Sequence, residues 1–252
     1  MMYVNREPRF YVDITFSNSK WFDGTEGDYI VDFTYSGSCG KEQGSNDYTS
    51  TGYLVRKGMD SGDRNQNLVC VLLRLTNIYF DYIEALAHVS PTHEDIWTYM
   101  NMIRKRAGIE AGADGLYGLK IGSREEIRQA ILDERHIELC YEGHRFWDLR
   151  RTRNMMMLAG WTKHGIEAIA VNPDGSDMDL NVARDRIAKN ELTTGDFRYV
   201  IHQVPYTEAA ERQFVIEESF YFFPIKKTYL DENPNLEQNN NWGGTFNPTM
   251  EQ

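Results

Sequence analysis

The stretch EEIRQAILDERHIELCYEGHRFWDLRR, residues 125–151, interleaves apolar and charged residues at a helical step. Ile127, Ile131, Glu134, Ile137, Glu138 and Tyr141 recur every three or four positions, which places them on one face of an α-helix. Ser123 and Glu126 stand just ahead of that face at the spacing of a capping box, in which each side chain accepts the other residue's backbone N–H. Gly143 supplies a residue able to take the left-handed conformation that closes a helix. The stretch therefore reads as a helix and its exit.

Its charges have two readings. Glu134 and Glu138 lie four apart on one face, and a carboxylate pair can act as acid and base on a glycosidic bond when the two sit about 5–5.5 Å apart across a cleft. Arg135, Arg145, Arg150 and Arg151 are close in sequence, and glutamates among arginines at a helix end are more simply ion pairs that position it. Phe146, Trp147 and Leu149 are then the apolar anchors of that end. His136 and His144 are about two helical turns apart, too far to share a metal.

Upstream, Leu68, Val71, Leu72, Leu75, Ile78, Tyr79, Tyr82, Ile83 and Leu86 predict one long amphipathic helix over residues 68–89. Arg74, Asp81 and Glu84 exclude it as a membrane span, since each costs roughly 2.5–3.5 kcal/mol at a bilayer centre. A second helix follows a short turn, with Thr92 as its cap, Glu94 and Asp95 in its first turn, and Gly108 at its stop. Its inward row is Ile96, Met100, Ile103 and Ala107, and the two helices form a hairpin. The apolar face of the first helix needs neighbouring hairpins to cover it.

The flanks are less regular. Phe10, Val12, Ile14 and Phe16 alternate, which predicts an extended segment over residues 3–16. Residues 17–67 read as loops between short apolar pieces, too long for a mere connector. Residues 161–213 read as polar and irregular. ESFYFFPIKK reads as a short aromatic strand stopped by Pro224, and the tail after Asn233 as a loop folded over the surface.

Composition narrows the function. A chain of 252 residues, 41% of them hydrophobic, buries a real core. Its net charge of -11 argues against a phosphate-binding surface and hence against nucleic acid. Cys39, Cys70 and Cys140 encode neither a disulfide framework nor a metal pair. Nucleophile-elbow, phosphate-loop and zinc-protease motifs do not occur. Asp174, Asp177 and Asp179 lack the order of a calcium loop and read as a solvated turn. No cofactor, metal or catalytic residue is assigned.

The loop-rich region is instead rich in aromatics. Sugars present apolar C–H faces ringed by hydroxyls, which a flat ring beside hydrogen-bonding groups accommodates at little entropic cost. Trp21, Tyr35 and Tyr48, set among Gly, Ser, Asn and Asp, are the candidate ligand contacts. Tyr53, beside Arg56 and Lys57 in TGYLVRKG, is read as framework first and ligand contact second, and Trp161 in AGWTKHG as a further platform.

Six segments together resemble the ordered landmarks of the C-terminal half of SusD/RagB-like proteins. They are YVNREPRFYVDITFSNSKW, STGYLVRKGMD, LLRLTNIYFDYIEALA, IRKRAGI, the stretch quoted first, and YFFPIKKTYLDENPNLEQNNNW. The resemblance implies a mainly α fold, a tetratricopeptide-like helical-hairpin scaffold with a large loop-rich ligand face and little β structure. It implies non-catalytic capture of glycans, or in some relatives of peptides or amino acids, and delivery to a SusC-like TonB-dependent outer-membrane transporter. It also implies a lipid anchor at the cell surface, carried by an N-terminal region outside this chain. On this reading residues 1–65 form the ligand face, 66–160 the helical scaffold, and 161–252 loops, a short strand and the tail.

Overall fold

The computed structural model describes residues 3–23, 27–34, 37, 39–40, 48–59, 71–120, 122–189, 191–204 and 214–248. Two compact units are present: Met1–Glu142 with His164–Thr207, and Gly143–Lys163 with Glu208–Gln252.

Three helices build the main core of the first unit. The capping box forms as the spacing predicts: Ser123 Oγ accepts from Glu126 N at 3.3 Å and Glu126 Oε2 accepts from Ser123 N at 2.7 Å. The helix it starts, α4, runs Arg124–Glu138. The hairpin partners are α2 (Leu75–Val89) and α3 (Glu94–Arg106). His93, not Thr92, caps α3, its Nδ1 accepting from Asp95 N at 3.2 Å. Acids in the first turn of α3 and Arg104, Lys105 and Arg106 in its last suit the helix dipole. Phe80, Ile83 and Ala87 of α2 interlock with Ile96, Met100 and Ile103 of α3 and with Ile127 and Ile131 of α4, all 3% exposed or less.

The start and the rotation of α2 differ from the sequence reading. Residues 71–74 are not helical, because the Asn77 side chain accepts the Arg74 N–H at 2.9 Å and begins the helix there; residues 60–70 lie outside the described set. Leu75, Ile78, Tyr82, Ala85 and Val89, spaced three, four, three and four apart, all face outward, and the buried stripe is Thr76, Phe80, Ile83 and Ala87. On α4 Ile137 is likewise 44% exposed while Glu134 and Glu138 point inward, and Tyr141, 54% exposed, lies beyond the helix. Gly143 does not close α4; its φ of 81° opens the next helix, α5 (His144–Arg151), in the second unit.

Residues 8–13 are helical rather than extended, since Pro8 at the first helical position presets φ and the helix α1 (Pro8–Asp13) turns Arg9 and Asp13 into the interior. Strand β1 (Ile14–Phe16) follows and pairs antiparallel with β4 (Tyr53–Val55), setting Phe16 opposite Tyr53. Between them, β2 (Lys20–Asp23) and β3 (Gly27–Ile30) form a hairpin with Trp21 opposite Tyr29.

Residues 161–213 are not irregular throughout. Strand β5 (His164–Ala170) pairs in antiparallel register with β6 (Phe197–Gln203), and α6 (Leu180–Ala188) crosses between them. The alternation was present in the sequence but carried largely by small residues: Ala168 and Ala170 point inward onto Met178, Ala183, Ile187, Leu192 and Phe197, and Ile166 is buried beside Gly52.

In the second unit ESFY is a 3-10 turn, Glu218–Tyr221, rather than a strand, and Tyr221 packs on Leu149 and Met155. The Tyr221 hydroxyl donates to Arg153 O at 2.8 Å and accepts from Met156 N at 3.1 Å, which clips the end of α5. A short helix α7 (Lys227–Glu232) precedes the tail, which folds back through side chains: Gln238 pairs with both backbone groups of Ile225, and Trp242 Nε1 donates to Phe222 O at 2.8 Å. Phe146, Trp147 and Leu149 belong to this unit, where Leu149 packs with Met155 and Tyr221. Among the described residues no helix is long and apolar enough to cross a membrane.

The three–four stripe on α2 is the spacing that packs one helix against another. The chain by itself is expected to self-associate with rising concentration in sedimentation velocity. Ile78→Glu should shift it toward monomer while changing unfolding free energy by no more than about 0.5 kcal/mol, as for an exposed position.

Candidate functional site

Two groups of residues concentrate the polar chemistry of the first unit. One lies at the C-terminal end of α4, where the buried face runs out of apolar residues and presents Glu134 and Glu138, 2% and 4% exposed. Their partners come from far along the chain rather than from Arg135, Arg145, Arg150 or Arg151. Glu138 accepts from Arg9 Nη1 at 2.9 Å, from Arg74 Nη1 at 2.8 Å and from Arg106. Glu134 accepts from Arg104, and Arg9 Nη2 lies 2.8 Å from its other oxygen, off the hydrogen-bonding direction, as a charge contact. Arg135 instead reaches Asp81 at 2.7 Å.

Lys57 extends the network, donating to Glu138 O at 2.6 Å and pairing with Glu142 at 2.9 Å, the framework role expected of the segment around Tyr53. Burial on its own would raise the Glu138 carboxyl, but hydrogen bonds from Arg74 and Arg9 and the charge of Arg106 hold it below the ordinary carboxylate value. Glu142 is held low in the same way by Arg74 and Lys57. A glycosidase acid needs a raised pKa and a face open to substrate. Glu138 has neither, and buried Glu134 is closed off by arginine. The pair is structural.

The other group is aromatic. Tyr3 is buried beneath Phe16, Tyr199 and Tyr53, with ring centroids 4.5, 5.0 and 6.0 Å away. Phe10 stacks on Phe16 at 5.2 Å and carries the Arg6 guanidinium over its other side at 5.7 Å. The Tyr11 hydroxyl donates to Tyr3 O at 2.7 Å and accepts from Arg6 N at 3.2 Å. Burial raises the Tyr3 and Tyr53 phenols and, with Tyr53 alongside, pushes Tyr199 up to about 12. All three keep their protons at neutral pH. The Tyr3 hydroxyl is enclosed, with Tyr53 beside it but out of hydrogen-bonding alignment, so Tyr53 and Tyr199, both half-buried, are the members able to meet a ligand.

The segment carrying Tyr48 and Tyr53 is held rigidly. Thr49 Oγ1 and Thr51 Oγ1 both donate to Tyr53 O, and Ile166 N of β5 donates to Thr51 O at 2.9 Å. Gly52, at φ +77°, lies so close to β5 that a Cβ there would meet Ile166 O at 2.1 Å. Tyr48 is half-buried at the head of this segment. Just beyond Tyr53, the Arg56 guanidinium lies 5.9 Å over the half-exposed Trp21 ring and donates to Lys20 O at 3.2 Å.

Of the residues singled out from sequence, Trp21, Tyr48 and Tyr53 thus come from one local assembly of β1, β2 and β4. Tyr35 lies outside the described residues. Trp161, 62% exposed, belongs to the second unit, where its carbonyl accepts from Phe214 N at 2.8 Å. Tyr3, Tyr199 and Arg6 were not singled out; the pairing of β5 with β6 is what brings Tyr199 to the cluster, and its only sequence signal was the missed alternation of β5.

Among the described residues no group of three or more His, Cys, Asp or Glu is placed to hold a metal. Asp174 caps its own turn through Ser176, Asp177 pairs with Arg198 at 2.5 Å and Asp179 caps α6. Burial pushes the Cys140 thiol up to about 11, which leaves it protonated and unreactive.

Comparison with known proteins agrees with this architecture. The family model described as the SusD family matches residues 1–242. A solved SusD-like protein from Bacteroides fragilis superposes with a TM-score of 0.67 at 24% identity, covering 94% of this chain and 39% of that one. A SusD-like carbohydrate binding protein from the same organism gives 0.61 at 22% identity, covering 92% and 42%. SusD-like protein P2 of Formosa agariphila is 30% identical over 84 residues, 32% of this chain and 16% of that protein. The chain therefore spans well under half the length of the proteins it matches.

The carboxylate network has a defined pH signature. Glu138 and Glu142 titrate lower when folded than their ordinary value of 4.5, so the folded state binds fewer protons in that window. Their contribution to stability is complete above about pH 4.5 and is lost as pH falls through the lower folded values; thermal melts from pH 7 to 3 should show that drop. Glu138→Ala removes the carboxylate shared by Arg9, Arg74 and Arg106, but Arg9 keeps Glu7 and Glu134 and Arg74 keeps Glu142, so urea unfolding at pH 7 should lose about 3 kcal/mol, the low end for breaking a buried pair.

Proposed function

The chain belongs to the SusD family, and from that premise we propose that it is part of a non-catalytic glycan-capture protein whose ligand face lies in residues 1–65 on the helical scaffold of residues 66–160. The observation that carries this reading is the half-exposed Trp21 ring with Arg56 beside it, next to the rigidly held Tyr48–Tyr53 segment. An indole face takes the C–H face of a pyranose, while the guanidinium and the protonated phenols of Tyr53 and Tyr199 exchange hydrogen bonds with ring hydroxyls. A solved relative described as a carbohydrate binding protein supports the ligand class.

In this reading the whole protein is a surface lipoprotein of the outer membrane, and the captured glycan passes to a SusC-like TonB-dependent transporter. Tyr35 is a further ligand contact, and Trp161 is a separate platform on the second unit. No residue acts chemically on the sugar, consistent with the ion-paired state of Glu134 and Glu138.

Titration calorimetry with a panel of neutral oligosaccharides tests the reading. At least one should bind, and Trp21→Ala should weaken it about tenfold, or ~1.4 kcal/mol, with an unchanged melting temperature. Flat traces from folded protein across the panel overturn glycan capture. Uptake of peptides with no sugar binding assigns the face to peptide capture, and release of reducing ends assigns it to hydrolysis.

A further inference from the structure

The turn that joins α2 to α3 puts a histidine where serine, threonine, aspartate or asparagine ordinarily starts a helix. His93 Nδ1 accepts the Asp95 N–H at 3.2 Å, so that nitrogen carries a lone pair and no proton. The turn is closed by His93 N donating to Ser90 O at 2.9 Å and by Ile96 N donating to His93 O at 3.1 Å. Asp95 also serves the other helix. Its Oδ2 accepts the Tyr82 hydroxyl of α2 at 2.7 Å, and the same oxygen lies 3.8 Å from His93 Nδ1. Imidazole, carboxylate and phenol thus form one chain across the hairpin.

Tyr82, 42% exposed, sits in the outward stripe of α2 with Leu75, Ile78, Ala85 and Val89. Its ring meets Tyr99 of α3 edge-on at 5.6 Å, and Tyr99 lies 4.6 Å from Tyr79. The hydroxyl bond to Asp95 and the ring contact with Tyr99 therefore fix its orientation from two sides. The bond to Asp95 also holds the Tyr82 phenol above its ordinary value, which keeps its proton in place from acid to neutral pH.

Histidine side chains ordinarily change charge between about pH 5 and 8. A second proton, taken from solvent at Nδ1, uses the lone pair that caps α3, and Nδ1–H then faces the Asp95 N–H donor to donor. The acceptor within reach is Asp95 Oδ2, where a charge-assisted bond from the imidazolium competes with the neutral phenol. The other titratable groups at this end of the hairpin are Glu94 in the first turn of α3 and His88 in the last turn of α2.

We propose that His93 is a pH sensor for the outward face of α2. With His93 neutral, α3 is capped and Asp95 holds Tyr82 in the stripe. With His93 protonated, the cap opens, Asp95 pairs with the imidazolium and the Tyr82 hydroxyl passes to water, so the face is less ordered in acid than at neutral pH. The device lies on the scaffold helices and operates without a ligand.

An NMR titration of the folded full chain from about pH 8 to about pH 5 tests it across the range in which histidine titrates. The His93 ring, the Asp95 amide and the Tyr82 ring should shift with one common midpoint. His93→Asn keeps a capping oxygen that takes no proton, and both the Asp95 and the Tyr82 shifts should be lost. Asp95→Asn leaves Tyr82 an oxygen but no carboxylate to draw the imidazolium, so the Tyr82 shift should be lost while the amide at position 95 still follows His93. His88→Gln should leave all three transitions in place.

An Asp95 amide that does not follow the His93 ring overturns the proposal, because Nδ1 is then not its acceptor. A Tyr82 ring that stays flat in the unsubstituted chain overturns it as well, as does a Tyr82 shift that survives His93→Asn or Asp95→Asn, or one that disappears in His88→Gln.

Discussion

Glu138 is a buried carboxylate at the end of a helix, and burying it unpaired would be prohibitively costly. That constraint organises the first unit. Arg9 from α1, Arg74 from the start of α2 and Arg106 from the end of α3 all converge on its side chain, and Lys57 donates to its carbonyl. α1 is a six-residue helix whose buried residues are Arg9 and Asp13, and Arg74 stands just ahead of the first turn of α2, so the ion pairs help to hold both in place. The ion network therefore does at one end of α4 what Ile127 and Ile131 do at the other, where burial of apolar surface suffices.

The proposed ligand face inherits its geometry from this arrangement. Arg9 fixes α1, which leads directly into β1, and β1 pairs with β4 to place Tyr53 against Phe16. Lys57, two residues after β4, ties the same strand to Asp13, Glu138 and Glu142. Arg56 between them is left on the side of Trp21. The charge block and an aromatic face distant from it in sequence are thus mechanically one object: the carboxylates position the strands, and the strands carry the rings.

The second unit solves the same problem with arginine and aromatic rings. Arg150 is partly shielded by Phe146 and Phe223 and donates to two backbone carbonyls. Polar side chains of the tail, Gln238 and Asn239, substitute for strand partners on residues 223–225. Order here depends on hydrogen bonds donated and accepted by side chains more than on a large apolar core.

By themselves the residues determined the α2–α3 hairpin, α4 with its Ser123 cap, and the charge of these helices. Period, the Ser123–Glu126 box and the position of Gly108 are local, and local energies decide them. Composition and neighbours pointed to Trp21, Tyr35, Tyr48, Tyr53 and Trp161 as candidate contacts, and of these Trp21, Tyr48 and Tyr53 are described in the first unit. Tertiary structure decided which of two apolar stripes of α2 turns inward, because both satisfy the helical period and only packing against α3 and α4 distinguishes them. It decided that Glu134 and Glu138 pair with Arg9, Arg74, Arg104 and Arg106 rather than with neighbouring arginines, since an ion pair is set by distance in space. It brought Tyr3 and Tyr199 to Tyr53 through strand pairing between segments far apart in the chain, a long-range registration that no window of sequence contains.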